Sequence, residues 1–81
     1  MEPARGLIVC AMAGRDRGRY FVVLEAEGGY ALIADGKSRK LAKPKKKNAK
    51  HLRATGKEIA LTQITDKKLR NLLKEFTEQN P

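Results

Sequence analysis

Apolar positions follow two patterns along the chain. From Leu7 to Leu41 they come in short runs broken by glycine, and from Ile64 onward they recur every three or four residues. Leu7-Ile8-Val9-Cys10-Ala11-Met12 follows Gly6, is short and holds β-branched residues, which predicts a strand. Both of its side-chain parities are apolar, so the pattern does not choose an inward face. Ala13-Gly14-Arg15-Asp16-Arg17-Gly18 predicts a turn, with two glycines bracketing three charged residues. Arg19–Glu27 predicts a second strand, Gly28-Gly29 a hairpin turn and Tyr30–Ala34 a third strand. Asp35-Gly36 is a second hairpin signal, and Ser38–Leu41 is a candidate fourth strand. Pro44 cannot donate to a ladder and Lys45–Lys47 repel one another, which predicts an exposed loop over Ala42–Ala49. His51-Leu52-Arg53 is a weak candidate for a fifth, closing strand, and Gly56–Ile64 reads as either extended or irregular.

The C-terminal pattern predicts a helix. Thr65 suits the N-cap, Asp66 places negative charge in the first turn, and Ile64 and Leu69 stand at the positions of a hydrophobic staple. Leu69, Leu72, Leu73 and Phe76 form one apolar stripe, and Pro81 ends the chain. A helix of about 12–14 residues is marginal alone, so the stripe should pack on the sheet or on a partner. The pattern as a whole predicts a mainly β fold: a small barrel of four to five strands with a C-terminal α-helix. The expected division is a flexible N-terminus over 1–5, the barrel over 6–55 with a basic loop over 36–57, and the helix over 65–79.

At 81 residues the chain holds one small domain, too small for a spacious enzyme pocket. The longest apolar run, Leu7–Ala13, is far below the roughly 20 residues of a membrane span. With its single preceding Arg5 it copies a signal peptide only faintly. One Cys excludes an internal disulfide framework, and a reduced thiol suits a cytoplasmic protein. No nucleophile elbow, Walker loop, metal-ligand cluster or paired carboxylate is present, so neither an enzyme nor a metal or cofactor site is expected.

Charge changes the picture most. The net charge is +9, and residues 36–57 hold ten of the 18 basic residues and no acidic one. These are Lys37, Arg39, Lys40, Lys43, Lys45, Lys46, Lys47, Lys50, Arg53 and Lys57. The remaining eight basic and nine acidic residues nearly balance, so the whole excess lies in one segment. Clustered like charges cost stability, and a nearby polyanion relieves that cost through screening and ion release. A solvated loop is the plainer reading, and phosphate contact is the sharper one.

Gly6-x-Ile8-Val9-x-Ala11-x-x-Gly14-Arg15-Asp16-Arg17-Gly18-Arg19, followed by Val23, resembles the KOW motif of ribosomal proteins and NusG-type transcription factors. All six turn positions match the G-[KR]-D-[KR]-G-[KR] pattern. Tyr30–Gly36, a basic loop and Lys50–Thr55 further resemble the archaeal–eukaryotic large-subunit ribosomal KOW family of the fourteen-e type and short bacterial KOW-domain proteins. The resemblance covers about residues 6–55 and omits the helix. Phe21 stands where many KOW motifs have Gly, which favours the ribosomal branch. Cys10 and Met12 are apolar at positions often polar in the family, so a partner or the helix is expected to cover that face. The resemblance implies an SH3-like barrel, RNA as partner, ribosomal in kind, and RNA contact at Arg15, Arg17 and Arg19.

The candidate RNA-binding residues are therefore Arg15, Arg17 and Arg19 in the turn. To them charge alone adds Lys37, Arg39, Lys40, Lys43, Lys45, Lys46, Lys47, Lys50, His51 and Arg53. Gly14, Asp16, Gly18, Asp35 and Gly36 are assigned to shaping turns. Phe21 and Cys10 are assigned to the core, while Tyr20 and Tyr30 suit either the core or base stacking. The motif and nearly all the excess charge precede Gly56, which predicts RNA contact without the helix. The free protein is expected to be a monomer. The alternative function is an SH3-like protein-interaction module with an acidic partner.

Overall fold

The computed structural model describes residues 4–80; Pro81 and the first three positions of the expected flexible N-terminus lie outside it. Ala4 and Arg5 belong to a turn, in which Leu7 N–H donates to the Ala4 carbonyl at 3.1 Å. Five antiparallel strands follow: β1 Leu7–Ala11, β2 Tyr20–Glu27, β3 Tyr30–Ala34, β4 Lys45–Asn48 and β5 Leu52–Glu58. A 14-residue helix, α1 Asp66–Gln79, closes the chain. The strands form a single sheet in the order β4-β3-β2-β1-β5. The mainly β architecture with a C-terminal helix is as the sequence predicts, and is consistent with a small SH3-like barrel. The sheet is nonetheless open, because β5 pairs with β1 and not with β4.

The two apolar parities of the first strand have a direct explanation: β1 and the adjoining stretches of β2 and β3 are buried on both faces. Val9, Ala11, Phe21, Val23, Ala31 and Ile33 form the cluster on one face. Ile8, Val22 and Ala34 face the other way and pack with Leu69 and Leu73 of α1. A strand with buried neighbours on both sides loses the apolar–polar alternation that would reveal its inward face. Register shifts between Val23 and Glu25 on β2, and between Leu7 and Val9 on β1, interrupt the ladders where the sheet bends.

Helix α1 begins as its sequence predicts: the Thr65 side chain accepts from Lys68 N–H, and Asp66 sits in the first turn. Its stripe packs on the sheet, with Leu69 and Leu73 buried and the Phe76 ring meeting Tyr20 edge-on at 5.1 Å. A helix this short gains most of its stability from such packing. Burying one leucine contributes about 1.5–3 kcal/mol. Leu72 stays 38% exposed, so the docked stripe is narrower than the apolar pattern. The helix does not cover Met12, which is 45% exposed, whereas Cys10 is buried within the sheet.

Four assignments need correction. Ser38–Leu41 is a bend and turn, not a strand. Lys45–Lys47 is not loop but part of β4, paired with Ile33, Leu32 and Ala31 of β3. Asp35-Gly36 does not make a two-residue hairpin; residues 35–44 form a longer connection between β3 and β4. His51 belongs to a 3-10 turn, Ala49–His51, and β5 runs on to Glu58, past the expected barrel boundary at 55. Gly28-Gly29 is the tight β2–β3 turn expected of it.

Candidate functional site

The turn between β1 and β2 is closed by its own backbone. Gly18 N–H donates to the Ala11 carbonyl at 2.7 Å, and Arg19 N–H to the Asp16 carbonyl at 2.9 Å. Gly14 and Gly18 both have positive φ, at 79° and 85°, which is the conformation the turn requires of them. This geometry separates the charged residues by direction. Arg15 and Arg17 are exposed, whereas the Asp16 carboxylate points inward and is 5% exposed.

Asp16 is the anion on which neighbouring cations converge. Lys45 Nζ donates to its Oδ2 at 2.8 Å, and Arg19 Nη1 lies 3.7 Å from its Oδ1. The hydrogen bond from Lys45 holds the Asp16 pKa below its ordinary value of 3.8. The charges of Lys45, Arg39 and Arg19 act in the same direction, while burial opposes them. A carboxylate with a lowered folded-state pKa stabilises the fold above its ordinary pKa and loses that contribution as pH falls below it. As pH falls below about 4, melting temperature is therefore expected to drop more steeply for the parent protein than for Asp16→Asn. Thermal melts across that range measure it.

Alternate residues of β4 reach in opposite directions. Lys45 and Lys47 sit opposite Ile33 and Ala31, whose side chains are in the buried cluster. Lys47 is 8% exposed and its Nζ donates to the Ala13 carbonyl at 2.9 Å. Lys46 points the other way and lies 4.6 Å over the Tyr30 ring. Lys45 and Lys47 thus clamp the turn to β4, and of the three only Lys46 is exposed. The assignment of Lys45–Lys47 as equivalent loop charges is corrected accordingly.

Asp35 organises the next segment. Its Oδ1 accepts from Lys37 N–H at 2.9 Å and Arg39 N–H at 2.8 Å, and its Oδ2 accepts from Ser38 Oγ at 3.1 Å. Arg19 Nη2 donates to Ser38 Oγ at 2.8 Å and to Asp35 Oδ2 at 3.3 Å. Arg19 is therefore a bridge from the turn to this loop, and its guanidinium is partly committed. Arg39 is half-buried, and its Nε is buried without a hydrogen-bond partner. Lys37, Lys40, Lys43, Lys50, His51 and Arg53 are exposed. Met12 N–H donates to the His51 carbonyl at 2.8 Å, which joins the 3-10 turn to the start of the β1–β2 turn.

The turn is thus tied to three basic segments: to the 35–39 loop through Arg19, to β4 through Asp16 and Ala13, and to the 3-10 turn through Met12. Helix α1 joins the same region. Leu41 N–H donates to Asp66 Oδ1 at 2.8 Å, and Arg70 Nη1 donates to the Gly36 carbonyl at 2.9 Å. The sequence pattern assigns no role to Arg70. Its i,i+4 spacing with Lys74 was the available signal, but nothing in the sequence says which surface the helix lies against.

Among the described residues, no group of three or more His, Cys, Asp or Glu comes together where it could hold a metal ion. Likewise, no helix among them is long and apolar enough to cross a membrane. No protein-family model matches the chain, and no curated protein matches it.

Proposed function

We propose that the protein binds structured RNA, ribosomal in kind, through the β1–β2 turn and the exposed cations around it. The observation that carries this reading is the linkage of the turn to the other basic segments: residues far apart in sequence are hydrogen-bonded into one cationic region. Arg15 and Arg17 project from a turn closed by backbone hydrogen bonds, so their guanidinium forks suit directed, bidentate phosphate contacts. Lys37, Lys40, Lys43, Lys50 and Arg53 suit less directional contacts with further phosphates. His51 is exposed beside them. Affinity then comes mainly from phosphates, and discrimination from RNA shape. The KOW resemblance of residues 6–55 points to the same partner. In this role the protein is a binding component without catalytic activity, acting in the cytoplasm.

Filter binding across a salt series tests the reading, using a structured ribosomal RNA fragment and a scrambled RNA of equal length. Replacing Arg15 and Arg17 with alanine is expected to flatten the log–log salt slope by roughly 0.7–0.9 for each phosphate no longer neutralised. Arg17→Lys keeps the charge and removes the fork, so the slope should hold while the structured RNA loses roughly tenfold in affinity relative to the scrambled one. Absence of salt-dependent binding to either RNA overturns the reading. Retention of an acidic protein instead would favour a protein-interaction module.

A further inference from the structure

A groove of about 480 Å³ runs between helix α1 and the end of the β1–β2 turn. Its volume lies within the range of about 300–1,000 Å³ common for ligand clefts. Four cations line it: Arg19 and Lys37 from the sheet side, and Arg70 and Lys74 from the helix. The only carboxylate among the lining residues is Asp35, which already accepts from Lys37 N–H, Arg39 N–H, Ser38 Oγ and Arg19. The groove therefore carries an excess of positive charge even with Arg19 paired to Asp35 at 3.3 Å and to Asp16 at 3.7 Å.

Two of the four cations are preorganised. Arg19 is held by Asp35 and Ser38, and Arg70 by the Gly36 carbonyl. An arginine offers five N–H donors, so each keeps donors free for an anion while its orientation is already fixed. Fixing those side chains in advance lowers the entropy cost of binding. Lys37 and Lys74 are exposed and free to follow the ligand. Gly18 and Arg19, at the end of the β1–β2 turn, line the groove, so it adjoins the turn that bears Arg15 and Arg17.

We propose that this groove is a second phosphate-binding site, which takes a further stretch of the same RNA's phosphodiester backbone and makes α1 part of the interface. The proposal rests on the RNA-binding reading above and reverses the expectation that residues 1–55 suffice. Two planar guanidinium groups beside two ammonium groups match successive phosphates along a backbone.

The test is an amide-shift NMR titration of the full chain with a short RNA hairpin, alongside affinity measurements on Lys74→Glu and Lys68→Glu. Lys74 lines the groove, whereas Lys68 lies on another face of α1 with its Nζ toward the Gln63 carbonyl. Both positions are exposed, and the two variants change net charge equally. The expected result is shifts at Gly18, Lys37, Asn71 and Lys74 together with Arg15 and Arg17. Lys74→Glu should weaken binding at least fivefold more than Lys68→Glu. Shifts confined to the turn, or equal losses in the two variants, overturn the groove and leave the RNA reading standing. No shift anywhere overturns both. A glutamate-rich peptide that fills the groove when RNA does not overturns the proposal in favour of a protein partner.

Discussion

Asp16→Ala is expected to destabilise the fold by about 2–3 kcal/mol, with a drop in melting temperature of roughly 10–20 °C for a domain of this size. An exposed ion pair contributes at most about 1 kcal/mol, and breaking a fully buried one costs about 3–5 kcal/mol. Asp16 falls between these limits. Its carboxylate is buried, but the side chains of Lys45 and Arg19 remain 28% and 44% exposed, so water takes up part of the orphaned charge. Removing the anion leaves Lys45 and Arg19 without the carboxylate that holds them together. Lys45→Ala should cost less, because it removes one of several cations and leaves the anion partnered. Paired thermal melts decide the matter: equal losses would mean that Asp16 contributes only as one half of a single ion pair.

The largest single-site effect is expected at Gly36. This residue is buried, has φ of 75°, and lies so close to α1 that an added Cβ would collide with the Asp66 backbone carbonyl. Neither party has room to move. Asp66 is the first residue of the helix and its side chain holds Leu41 N–H, while the Gly36 carbonyl is held by Arg70. Gly36→Ala therefore combines an unfavourable φ with a backbone overlap, and should cost about 3 kcal/mol or more. Gly18 is the control: its φ of 85° is as demanding, yet nothing lies within 4 Å of a Cβ placed there. Gly18→Ala should cost only about 1–2 kcal/mol. Hydrogen exchange separates the two causes, since Gly36→Ala should release protection across α1 and Gly18→Ala should not. Equal losses would show that the helix does not depend on this approach of the two backbones.

These two residues mark the boundary of what the sequence reveals. Elements specified by neighbours in the chain are legible: the Gly28-Gly29 turn, the Thr65 cap and the stripe through Leu69 and Leu73 all follow from local chemistry. The fold class follows from their order. Features specified by distant partners are not legible. Lys45–Lys47 look like a self-repelling loop because their partners, Asp16 and the Ala13 carbonyl, lie about thirty residues earlier in the chain. Asp35-Gly36 looks like a hairpin turn because nothing local shows that Asp35 gathers four donors or that Gly36 must admit a helix. One signal was available: Asp16 and Asp35 are isolated acids among cations, a pattern that suits buried anionic centres better than surface solvation. The candidate interface was legible as a charge cluster, but its division into clamping, bridging and exposed cations depends on tertiary contacts.

The open sheet leaves β4 and β5 as edges, and rows of unpaired backbone groups at such edges can recruit a strand from another copy. β4 counters this with lysine at three successive positions, and β5 with Arg53 and Lys57. The inward direction of Lys45 and Lys47 strengthens the guard. Their amines are satisfied only in the native register, and a slip of one residue would turn Lys46 inward and leave both partners empty. The edge that holds the turn in place is thereby a poor template for fibre growth.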